Sequence, residues 1–260
     1  MNLALSQELR RQYGEGYQKS EEVRALLSEN IESIIQEVRA RPNNNIKVKL
    51  NESFNARLGT PNNNLSNYLL NSKTAELVLL FIDICSFSTK FSSLNNQQLT
   101  SYLDSYYKIV LPIIYKYQGE IDKIMGDGII CLFGPPFLNT TYNDRLRKAE
   151  DCAKEIIAAT NGTSYSLKIA LHPGQCMYYH NTSLNYPDFT IIGKCITELY
   201  RLESIAEDEK IIFFSGTKFE SETLTRHTNF TRPWYISNQA SFPSLKGVTG
   251  YNWKRTLIKT

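Results

Sequence analysis

Phe81-Ile82-Asp83-Ile84-Cys85-Ser86-Phe87-Ser88, with Lys123-Ile124-Met125-Gly126-Asp127-Gly128 downstream, decides how this chain is read. Each stretch sets an aspartate at the edge of a short apolar, strand-like run. Leu77 to Cys85 reads as a buried strand. Behind it, Leu99, Leu103, Tyr106, Val110, Ile113 and Tyr117 alternate steps of four and three and give one apolar helix face. Pro112 falls inside that pattern and should kink or weaken the helix. Gly119 stops it. Glu120 to Ile124 and Ile129 to Phe133 are two strands joined by the tight turn Met125-Gly126-Asp127-Gly128.

Working outward, Asp144 to Thr160 reads as a second helix, Ser166 to Leu171 as a strand, and Phe189 to Ile192 as another. Tyr178-Tyr179-His180 belongs to a hairpin. Cys195 to Ala206 is a third helix, followed by the strand Lys210 to Phe214. The fold class is therefore α+β. The order βαββαβ implies a ferredoxin-like sheet with its helices on one face. Before this core, about 3 to 40 shows a helical apolar repeat (Leu26, Leu27, Ile31, Ile34, Ile35, Val38), and an Asn-rich linker runs to about 73. The expected organisation is 1–73, an N-terminal helical extension and linker, and 74–260, the α+β core.

Composition excludes several classes. A net charge of +3 over 260 residues does not point to nucleic acid. The longest apolar run already contains Asp83 and is far short of a membrane span. Met1-Asn2-Leu3 begins no signal pattern. The five cysteines (Cys85, Cys131, Cys152, Cys176, Cys195) form no CxxC pair and the three histidines are dispersed. Reduced thiols in a cytoplasmic protein are expected, rather than a zinc site or disulfide framework.

Two carboxylates converging from adjacent strands can hold a pair of divalent cations, which suits phosphoryl displacement. Hard cations take oxygen ligands, so Asp83 and Asp127 fit Mg²⁺ or Mn²⁺. Taken alone, Asp83 reads equally as a helix cap and Asp127 as a turn aspartate.

The segment from about 76 to 256 resembles the catalytic domain of the class III nucleotidyl cyclases. FIDICSFS is similar to that family's first metal motif and KIMGDGIICLFG to its second. Asp188 to Gly193 with Arg201 to Ala206 is similar to its third signature, and Ser244 to Val248 to its C-terminal strand end. The resemblance implies conversion of a nucleoside triphosphate to a 3′,5′-cyclic nucleotide and pyrophosphate. It implies metal ligation by Asp83, Asp127 and the Ile84 carbonyl, and a phosphate cradle at the Cys85, Ser86 and Phe87 amides. It assigns base reading to Lys123 and Thr190, charge stabilisation to Arg201, and triphosphate binding to Lys246. It also implies a head-to-tail homodimer with two shared sites.

One departure stands out. Thr197 occupies the position where the family usually has a ribose-orienting asparagine, and a hydroxyl cannot offer two amide donors. Lysine with threonine is an adenine-reading pair on family logic. The missing asparagine and the absence of a recognisable sensor domain instead resemble the bacterial pyrimidine cyclases, which make cyclic UMP or cyclic CMP in anti-phage defence. That product is favoured, with adenylate cyclase and a catalytically inactive nucleotide-binding module as the alternatives. No GGDEF-like run supports a diguanylate cyclase.

Overall fold

The computed structural model describes residues 9, 10, 12, 13, 73–180, 189–227 and 233–259. Most of the expected N-terminal helix and all of the Asn-rich linker to residue 72 lie outside them. In chain order the elements are β1 (Thr74–Ile84), α1 (Phe87–Lys90), α2 (Asn96–Lys116), β2 (Glu120–Met125), β3 (Gly128–Phe133), α3 (Tyr142–Thr160) and β4 (Leu167–His180). There follow β5 (Phe189–Ile192), α4 (Lys194–Glu203), β6 (Lys210–Phe214), α5 (Lys218–Arg226), β7 (Trp234–Ile236), β8 (Ala240–Ser241) and β9 (Trp253–Lys259).

Among the described residues the strands form one sheet in the order β2-β3-β1-β4-β6-β9-β7, with β5 on β4 and β8 on β9. β1, β2, β3 and β4 with α2 and α3 make the expected βαββαβ unit. β1 is central, paired antiparallel to both β3 and β4. That position explains its unbroken apolar run, because its two faces meet two different cores. Val78, Leu80, Ile82 and Ile84 join Tyr106, Val110, Leu146 and Ile156 of α2 and α3. Leu77, Leu79 and Phe81 join Cys195, Leu199 and Leu202 of α4 on the opposite face. The period-two alternation of a strand sorts the residues between these faces. Leu77 to Leu80 are wholly buried, each worth about 1.5–3 kcal/mol of hydrophobic transfer. The two helices of the βαββαβ unit thus share a face as expected, and the third helix covers the other.

α2 opens on a capping box. Asn95 accepts from the Gln98 amide, and the Gln98 side chain accepts from the Asn95 amide. The helix continues through Pro112 to Lys116 as one element. Burial of Tyr106, Val110, Leu111, Ile113 and Ile114 around the proline outweighs the one missing backbone donor. β4 runs nine residues past the expected Leu171 and pairs with β5 as the expected hairpin, Tyr179 opposite Thr190. From the N-terminal segment, Leu9 is buried in the α2/α3 core, Arg10 pairs with the buried Glu120, and Tyr13 stacks on Tyr115.

The thiol expectation needs correcting. Cys176 on β4 and Cys195 at the start of α4 are joined by a disulfide, while Cys85, Cys131 and Cys152 are buried and outside any disulfide. The β4–β5–α4 turnabout brings together two cysteines that sequence spacing leaves apparently unrelated.

Candidate active site

Asp83 sits at the C-terminal end of β1, and Asp127 in the β2–β3 turn beside it. The turn has positive φ at Gly126 (66°) but not at Asp127, the φ signature of a II′ hairpin, which wants glycine first. The Tyr107 hydroxyl from α2 donates to the Gly126 carbonyl and fastens the turn to the helix. Gly128 leaves the room that brings the carboxylates together. A side-chain carbon there would lie 3.0 Å from the Phe81 ring and 3.6 Å from Asp83 Oδ1.

The electrostatics follow from that crowding. Burial, and then the charge of Asp127, push the Asp83 carboxyl above its ordinary range, against the pull of Lys168. Burial also raises Asp127, partly offset by hydrogen bonds from its own backbone amide and with Asp83. A divalent cation would relieve such a pair. Among the described residues no three His, Cys, Asp or Glu side chains converge as a metal site. Two carboxylates fit Mg²⁺ all the same, because this ion keeps waters and takes its remaining ligands from substrate phosphates. The residues present therefore fit the expected cations.

Lys168 is a member of this site that sequence reasoning missed. It lies directly opposite Asp83 in the β1–β4 ladder. Its Nζ is 3.3 Å from Asp83 Oδ2 and 2.6 Å from Glu203 Oε1 at the end of α4. Burial works against its charge, but the bonds to Glu203 and Asp83 win and raise its pKa. A charged residue between Leu167 and Ile169 was the available signal; which residue it faced depended on strand register.

A second cluster forms on α4. Arg201 is exposed, and its Nε donates to the Lys246 carbonyl at 3.1 Å. Thr197 is exposed one turn earlier, its methyl 3.6 Å from where a side chain on Gly247 would begin. Arg201, Thr197 and Lys246 are thus brought together. Lys123 stands half-buried on β2 next to a register shift between Ile121 and Lys123, and Thr190 half-buried on β5. The Ile84 carbonyl ends β1.

Of the expected phosphate cradle, the Cys85 amide is already committed, donating to the Ser166 carbonyl at 2.8 Å. Ser86, at φ 55°, and Phe87 remain at the opening of α1, where first-turn amides have no intrahelical acceptor. Phe87 also packs its ring on Phe91 and Tyr102.

Known structures share this fold. The guanylyl cyclase Cya2 superposes with a TM-score of 0.58 at 22% identity, over 72% of this chain and 93% of its own. The adenylyl cyclase CyaB from P. aeruginosa gives 0.56 at 20%, over 72% and 96%. The guanylate cyclase domain of RhGC from Catenaria anguillulae, in complex with GTP, gives 0.55 at 18%, over 72% and 98%. The fold is that of a cyclase catalytic domain. No protein-family model and no curated protein matches the sequence. Within this cyclase fold the two aspartates and the α4 cluster occupy one chain. Among the described residues no helix is long and apolar enough to cross a membrane.

Proposed function

We propose that this protein is a nucleotidyl cyclase. The observation that carries the reading is the meeting of Asp83 and Asp127, two crowded carboxylates at a strand end and a hairpin turn, on a cyclase fold. Asp83, Asp127 and the Ile84 carbonyl would hold two Mg²⁺ or Mn²⁺ ions, which when bound neutralise phosphate charge and acidify the ribose 3′-hydroxyl. The 3′-oxygen attacks the α-phosphorus, the bond to the β-phosphate oxygen breaks, pyrophosphate leaves, and the 3′ proton passes to Asp83 or to water. Lys246 and the Ser86 and Phe87 amides bind the phosphates, Arg201 stabilises charge on the transferring group, and Thr197 stands by the ribose. The active form is a homodimer in which the aspartates of one protomer face Lys123, Thr190 and Arg201 of the other.

The favoured product is cyclic UMP or cyclic CMP, serving as an anti-phage second messenger in the cytoplasm. A specific observation supports a small base. Tyr179 stands directly opposite Thr190 in the β4–β5 ladder, so both side chains project from the same face. Tyr179 is 39% exposed, which leaves a large aromatic side chain available beside Thr190 to limit the size of the base. The adenylate alternative rests on the hydrogen-bonding ambiguity of Lys123 and Thr190. A catalytically inactive nucleotide-binding module is the other reading, motivated by Thr197.

Purified protein incubated with Mn²⁺ and each of ATP, GTP, CTP and UTP, with products identified by mass spectrometry, tests the proposal. A cyclic pyrimidine nucleotide is expected, absent in Asp127→Ala. Cyclic AMP as the product would refute the pyrimidine reading. Full activity in Asp127→Ala would refute the two-carboxylate site.

A further inference from the structure

The segment from 242 to 251 lies along α4 and is held there by apolar and polar contacts. Phe242, Leu245, Val248 and Tyr251 pack into the α4-side core, and Tyr251 stacks on Phe214 at 4.6 Å. The polar contacts are two cations of α4 that donate to backbone carbonyls of the loop. Arg201 Nε reaches the Lys246 carbonyl at 3.1 Å, and Lys194 Nζ reaches the Thr249 carbonyl at 3.0 Å. Between them Gly247, at φ 84°, lies against the Thr197 methyl. The loop is pinned to the helix on both sides of Gly247.

We propose that Lys194 is a positioning residue for Lys246, so that Lys246 and Arg201 face one polyphosphate; this rests on the nucleotidyl cyclase reading. Lys194 opens α4, and Arg201 lies seven residues on, two helical turns along the same face. The Nε bond to the loop fixes the plane of the Arg201 guanidinium and leaves the four N–H donors of its two terminal nitrogens for an anion. The Lys194 bond holds the far side of Gly247, so the Lys246 backbone cannot swing away from Arg201. Lys194 is itself held by Glu198, at 3.2 Å one turn along α4. Ordering a loop before the ligand arrives removes that entropy cost from binding.

The test measures binding of inorganic tripolyphosphate in Mg²⁺ to the full chain by calorimetry, with nucleotide turnover alongside. It uses wild type, Lys194→Met, Lys194→Arg, Lys246→Met and the Lys194→Met/Lys246→Met double variant. Lys194→Met is expected to weaken tripolyphosphate binding about tenfold and to raise KM by a similar factor, with kcat falling less than about threefold. Lys194→Arg should recover most of that loss, and the double variant should bind no more weakly than Lys246→Met alone. Wild-type affinity in Lys194→Met overturns the proposal. So does an additive loss in the double variant, which would make Lys194 a direct phosphate contact. Wild-type protein that neither binds tripolyphosphate nor turns over nucleotide refutes the cyclase reading first, and the role of Lys194 with it.

Discussion

Replacing Gly174 by alanine should disturb both stability and turnover, although no proposed site residue is touched. Gly174 pairs with Leu77 in the β1–β4 ladder and lies under the start of α4. An added Cβ would come within 2.5 Å of Cys195 Cβ, against an ordinary carbon–carbon contact of about 3.5–4.0 Å. That is an overlap of about 1 Å. Cys195 cannot step aside, because its sulfur is bonded to Cys176 and the residue is buried. The helix must move off the sheet or the strand must bow. Overpacking of this kind costs about 1–3 kcal/mol. In a protein of this size that lowers Tm by about 2–12 °C. Because α4 also carries Thr197 and Arg201, a shift of about 1 Å should reduce kcat/KM by up to about a hundredfold. Thermal melts by circular dichroism and product formation from the preferred nucleotide are the assays. An alanine variant that melts within one degree of wild type, at undiminished turnover, would refute the argument that β4 and α4 are in contact at their limit.

Further outcomes follow from other parts of the molecule. Glu150 is buried and accepts from Lys154, Arg226, Thr223 and His227. Burial opposes its ionisation, but the His227 bond, then Lys154 and Arg226, hold the carboxyl at about 2 instead of 4.5. The depressed folded value means stability of about 3 kcal/mol present above pH 4.5 and lost as pH falls toward 2. Glu150→Gln should therefore melt well below wild type at pH 7, and the gap should close near pH 2; a gap independent of pH would refute this. Cys195→Ser opens a covalent loop spanning a sequence separation of 19 and should cost about 3 kcal/mol in denaturant titrations under oxidising conditions. No loss there, or an equal loss under reducing conditions, would count against the cross-link. Mixing Asp83→Ala with Arg201→Ala should restore turnover that neither variant has alone, and demonstrated heterodimers without it would argue against shared sites.

The parts of the fold that were legible in the sequence are those whose cause is local. β1 announced itself because a central strand contacts two cores and so carries apolar residues at nearly every position. β5 and β6 were read to the residue, and the β2–β3 turn was evident from Gly126-Asp127-Gly128. Where the cause is a long-range pairing, local pattern is silent. The extension of β4 to His180 depends on β5 lying beside it. The Cys176–Cys195 bond depends on the same turnabout. Lys168 became part of the aspartate site only through its register against Asp83. Pro112 lies inside α2, which runs on past it for another turn.

The Cys176–Cys195 bond also has a mechanical meaning. It ties the first turn of α4 to β4, while the other end of this ten-residue rod, near Arg201 and Glu203, is held by noncovalent contacts: the Lys168–Glu203 pair, the Arg201 bond to the Lys246 carbonyl and the burial of Leu199 and Leu202. A rod bonded covalently at one end and by breakable contacts at the other yields first at the breakable end. Any rearrangement that accompanies closure around a substrate must therefore be smallest at Cys195 and grow along the helix, reaching its full amplitude at Arg201. The cross-link acts as a fulcrum, and the guanidinium rides the long arm.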